Sequence, residues 1–142
     1  MKTKLVFFII LLLVLISCSK KEIILELKSL DVPKELIGTW QWVFDYGGLS
    51  QIYYTPQSVG MSVKIQFDAN HIYKYFENDD LRSQAEFIIE KKQSVSCPDS
   101  ALIISHIPSS AKRIKYNDMD SLILVDERNQ SHRYEHHYSR ME

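Results

Sequence analysis

Only two cysteines occur in the 142 residues, Cys18 and Cys97, so a framework of several disulfides is excluded and the fold must rest on its core. The formal net charge is −1 and lysine and arginine form no basic cluster, which argues against a nucleic-acid partner. The four glycines include no glycine-rich phosphate loop, and no pair of carboxylates stands in a recognisable catalytic frame. Nothing after Gly38 repeats with a helical hydrophobic period, which excludes a helical bundle. These absences point to a non-enzymatic, all-β domain with no cofactor and no metal.

What is present begins with an address. Met1-Lys2-Thr3-Lys4 is basic, and an unbroken apolar run follows from Leu5 to Ile16. A bilayer span takes about 20 apolar residues, so this run is too short to cross and suits the apolar region of a signal peptide. It ends in Leu15-Ile16-Ser17-Cys18, which resembles the lipobox of bacterial lipoproteins. The resemblance implies that residues 1–17 are removed and that Cys18 becomes the lipidated first residue, anchoring the protein to a membrane. Ser19 is not the aspartate associated with inner-membrane retention, which favours the outer membrane of a bacterial envelope. Cleavage takes away two of the 17 basic side chains and none of the 18 acidic ones, leaving a mildly acidic chain of single-domain size. With Cys18 acylated, Cys97 has no partner for a disulfide and reads as an inert thiol.

Residues 18–35 divide into a polar tether and a short segment with Ile23, Leu27 and Leu30 on one helical face. Pro33 starts a helical turn, and Gly38 breaks it into a strand. That strand holds both tryptophans. Trp40, Trp42, Phe44 and Tyr46 fall at every second position, so regular pleating predicts four rings on one face. Further strands are expected over 63–67, 71–76, 82–91, 101–107, 112–116, 122–125 and 132–138, with Asp68-Ala69-Asn70 and Glu77-Asn78-Asp79-Asp80 as turns between neighbours. Eight strands joined in sequence predict an antiparallel up-and-down barrel over residues 36–142, with a β-sandwich as the alternative arrangement.

Glu35-Leu36-Ile37-Gly38-Thr39-Trp40, a turn leading through Gly-x-Trp into the first strand, resembles the first signature of the lipocalins. With the short β meander behind it, the chain is similar to small lipocalin-like lipoproteins of Bacteroidetes-type bacteria. The second signature, Thr-Asp-Tyr, is matched only in part by Asn117-Asp118-Met119. The resemblance implies that Trp40 packs across the closed end of the barrel against an arginine of the last strand. Arg133 and Arg140 both qualify, and Arg140 is preferred because it ends that strand.

The long connection from Gly47 to Ser58 reads as a lid over the open end, with Ile52, Tyr53 and Tyr54 at its centre. A filled barrel with the loop as its plug is the competing reading. A ligand cavity would be lined by Trp42, Phe44, Tyr46, Phe67, Tyr73, Tyr75 and Phe87, with Tyr53 and Tyr54 from the lid. It would take a small hydrophobic or amphipathic ligand; the alternative function is a non-catalytic interaction module with a solid core. His132, His136 and His137 do not make a metal site, because on a strand His132 and His136 lie about 13 Å apart and His137 points the other way. Cys97 with His106, or Ser131 and His132 with Asp126, lack the local signature of a nucleophile.

Overall fold

The structure is a computed structural model that describes residues 29–95, 99–105, 107, 110–127 and 133–142. Cys18, Cys97, His106, Ser131, His132 and the whole leader lie outside the described residues. The strands are β1 (Gly38–Gly47), β2 (Ile52–Tyr54), β3 (Val63–Phe67), β4 (Ile72–Glu77), β5 (Asp80–Glu86) and β6 (Ile88–Gln93). They continue with β7 (Ser100–Ser105), β8 (Lys112–Asp118), β9 (Ser121–Asp126) and β10 (Tyr134–Arg140). One short helix, α1 (Pro56–Val59), follows β2.

All pairing is antiparallel, in the order β5-β4-β3-β1-β10-β9-β8-β7-β6, with β2 beside the far end of β1. The chain is therefore an up-and-down sheet that curls into a half-barrel, consistent with a lipocalin-like barrel. The two edges are halves of one bent strand. The single strand expected over 82–91 turns a corner at Phe87, so β5 pairs with β4 while β6 pairs with β7. Counted as one, β5 and β6 restore the eight strands of the sequence pattern, and β2 is the addition. Phe87 makes the corner because its ring is needed inside. It is 1% exposed and meets Phe67 edge to face at 5.3 Å, and its N–H donates to His71 O. Segment 29–30 binds β6, with Ile89 N–H donating to Ser29 Oγ and Leu30 N–H donating to Ile89 O.

The turns follow their residues. Asp68 Oδ1 accepts from Asn70 N–H and Ile72 N–H, the local bond that makes aspartate a turn former. Asn78 and Asp79 both adopt positive φ (49° and 70°), the conformation that matches a two-residue hairpin to strand twist. Thr55 caps α1 reciprocally with Ser58.

One end of the half-barrel is filled. Leu36, Trp40, Ile65, Phe67, Phe87, Ile89 and Leu122 are essentially without solvent contact there. Trp40 Nε1–H donates to Leu36 O at 2.9 Å, and the Arg140 guanidinium lies over the indole at 4.2 Å. Arg140 also donates to Met119 O, Ile37 O and Glu35 O, tying the turn before β1 to the end of β10. Gly38, at φ +138°, lets that guanidinium approach: a Cβ there would stand 2.8 Å from Arg140 Nη1.

Candidate functional site

β1 does not keep one face. Its register with β10 steps from Trp42↔Tyr138 to Phe44↔His137, so Val43 is the extra residue of a β-bulge. Because side chains alternate, one extra residue exchanges the two faces beyond it. Trp40 and Trp42 point inward; beyond the bulge Asp45 takes the inward place, and Phe44 and Tyr46 go outside. The expected row of four rings is thus corrected to two rings and a carboxylate. Val43, the one apolar break in the polar alternation, is the residue that the bulge sets aside, 42% exposed.

Beyond Trp42 the interior is hollow, with a cavity of about 540 Å³. Its apolar wall is Trp42 from β1, Val63 from β3, Tyr73 and Tyr75 from β4, Leu124 from β9 and Tyr138 from β10, with Met61 and Ile107 from the connections. Its polar wall is Lys112 from β8, Asp126 from β9 and His136 from β10, and Arg82 and Ser83 of β5 also line it. Arg82 is held by Glu77 (3.3 Å) and Asp80 (3.7 Å).

The polar wall is a connected network. Trp42 Nε1–H donates to Asp45 Oδ1 at 2.7 Å, and His136 Nδ1–H donates to the same oxygen at 2.9 Å. On the other side of the imidazole, His136 Nε2 lies 3.0 Å from Lys112 Nζ and 3.4 Å from Asp126 Oδ1. Lys112 donates to Asp126 Oδ1, which Ser110 Oγ also reaches at 3.3 Å. Burial pushes the Asp126 carboxyl up, but the hydrogen bonds from His136 and Lys112 and the ammonium charge outweigh it, leaving it well below the usual carboxylate range. Burial lowers His136, yet its bonds to Asp126 and Asp45 prevail over burial and over the Lys112 charge, so its basicity is raised. Burial, with help from neighbouring Tyr75, keeps Tyr73 strongly neutral. Tyr75 is pushed up to about 12 by burial and by Glu77, and burial raises Tyr138 as well. The cavity therefore offers neutral phenols and a fully paired ionic wall.

Of the residues expected at a ligand site, Trp42, Tyr73 and Tyr75 line this cavity. Phe67 and Phe87 are buried in the filled end instead. Phe44, Tyr46 and Tyr53 form a stack outside the sheet, with Phe44 on His137 (4.1 Å) and Tyr53 on Tyr46 (4.6 Å) and Phe44 (5.6 Å). Tyr54 sits against Tyr134 at 6.2 Å. The connection read as a lid is thus a hairpin: β2 pairs with residues 45–47 of β1 and lays its rings along the outer face. A second groove of about 480 Å³ runs there beside Phe44, Tyr53 and Pro56.

Sequence reasoning missed Asp45 and Lys112, weighed Asp126 only as a partner of Ser131 and His132 in a nucleophile set, and treated His136 only as a strand histidine. The signal for Asp126 was present, as a lone carboxylate closing the apolar run Leu122-Ile123-Leu124-Val125. Asp45 carried none, because its inward direction depends on the bulge. Among the described residues no group of three metal-ligating side chains is assembled, and no helix is long and apolar enough to cross a membrane. Comparison with protein-family models, with curated proteins and with solved structures finds no match to this chain.

Proposed function

We propose that this protein is a lipid-anchored bacterial envelope lipoprotein of lipocalin-like build that binds a small amphipathic ligand inside its half-barrel. The observation that carries the reading is the cavity of about 540 Å³ between Trp42 and the Lys112–Asp126–His136 wall. It falls within the size range of small-molecule sites, and it combines an aromatic lining with a few convergent polar groups. Burial of the ligand's apolar part supplies affinity, and the polar wall sets its orientation. No nucleophile or metal centre is needed for this role, and lipidation of Cys18 fixes the carrier at the outer membrane.

The test is titration of tryptophan emission with medium-chain fatty alcohols, amides and acids. Trp40 is sealed in the filled end, so a saturable change should come from Trp42 and vanish in Trp42→Phe. Emission that stays flat with every amphiphile would sink the proposal. A second reading, an interaction module, is favoured by the outer aromatic face, where Leu49 and Tyr53 are 74% and 61% exposed. Under that reading a folded protein would leave every small amphiphile unbound while Tyr53→Ser abolished complex formation with an envelope partner.

A further inference from the structure

We infer that the polar end of the ligand is uncharged and carries both a donor and an acceptor, as a primary amide or an alcohol does, and that Lys112 and Asp126 read it. The inference rests on the carrier reading above and specifies its ligand class. Lys112 and Asp126 both line the cavity, although their side chains are only 9% and 6% exposed. An ammonium has three N–H donors. Among the described residues Lys112 directs one of them to Asp126 Oδ1, while His136, both of whose nitrogens face carboxylates, donates and does not accept from it. Every hydrogen bond to Asp126 among those residues reaches Oδ1. Lys112 therefore keeps donors beyond the one spent on Asp126, and beside them Asp126 keeps its second carboxylate oxygen, a match for a group that accepts from the first and donates to the second.

Charge balance decides against an ion. The charged groups around the cavity are Asp45 on β1, Arg82 on β5, Lys112 on β8, Asp126 on β9 and His136 on β10. Lys112 is offset by Asp126; His136, whose two nitrogens both face carboxylates, is offset by Asp45; and Arg82 is offset by Glu77 and Asp80. A carboxylate entering this site meets two carboxylates whose cations are already engaged. An alkylammonium meets Lys112 and His136 on the same terms. Either ion is desolvated without a counter-charge of its own, whereas an amide keeps its hydrogen bonds and brings no charge.

The experiment compares decanamide, decanoate and decylammonium, which share a chain and differ in head charge. Their dissociation constants are read from Trp42 emission at about pH 6, below the ordinary histidine value of 6.5, on the full chain. Decanamide should bind at least about tenfold more tightly than either ion. Asp126→Asn leaves Lys112 without its anion and should shift the preference toward decanoate. Lys112→Met leaves Asp126 alone and should shift it toward decylammonium. Saturable binding of all three with equal affinity, or a preference for one ion in the unaltered protein, overturns this inference and leaves the carrier reading standing. Failure of all three to bind overturns both. The comparison on the unaltered chain decides the matter even where a variant does not fold.

Discussion

At the residue scale the protein is most constrained where one side chain satisfies several groups. Arg140 covers the Trp40 ring and donates to three backbone carbonyls, two of them in the turn that precedes β1. A lysine there cannot present a planar fork to three acceptors, so Arg140→Lys should lower unfolding stability by about 2 kcal/mol or more in a denaturant titration. His136 is the residue that should couple stability to pH. Its basicity is raised in the folded state, so its contribution is fully present below its ordinary value of 6.5 and is lost as pH rises through the folded value. Asp126 has the opposite sign: its contribution is present above its ordinary value of 3.8 and is lost as pH falls toward its depressed one. Burial lowers His137, so that residue works against His136 over the same range. Denaturation midpoints measured from pH 6 to pH 8 should therefore decline more steeply in the unaltered protein than in His136→Gln, and parallel curves would remove His136 from this role.

At the element scale two local departures from regularity organise the molecule. The bulge at Val43 turns β1 from an aromatic strand into one that seals with Trp40, lines with Trp42 and anchors a polar network with Asp45. The corner at Phe87 makes one strand serve both edges of the sheet. Phe87→Ala removes the ring that holds the corner against Phe67 and should cost about 3–5 kcal/mol by equilibrium unfolding. β2 carries its rings outside, so Tyr53→Ser should leave the affinity of a cavity ligand within about twofold while speeding amide exchange in β2. The sequence revealed most of this scaffold, because alternation and turn chemistry are local: Val63, Ile65 and Phe67 alternate where β3 forms, and Asn78-Asp79 turns where its residues favour positive φ. It concealed the faces of Phe44, Asp45 and Tyr46, because a bulge is set by pairing with β10, some 90 residues away. The polar wall was hidden for the same reason, since Asp45, Lys112, Asp126 and His136 meet only when four strands are laid side by side.

On the scale of the whole molecule the half-barrel has a solid end and a hollow end, and the division falls within β1 between Trp40 and Trp42. The solid end supplies stability, and the hollow end keeps about 540 Å³ open beside Trp42. The attachment proposed through Cys18 belongs to this scale too, and under it Cys18→Ala should move the protein from the membrane fraction to the soluble fraction of cells. In the proposed carrier a ligand enters the half-barrel rather than the groove outside it. The most direct measurement is the set of intermolecular nuclear Overhauser effects between bound decanamide and the aromatic rings of the protein. Contacts from the alkyl chain to Tyr73, Tyr138 and Trp42 are expected, and contacts confined to Phe44 and Tyr53 would place the ligand outside the half-barrel and rule out the carrier.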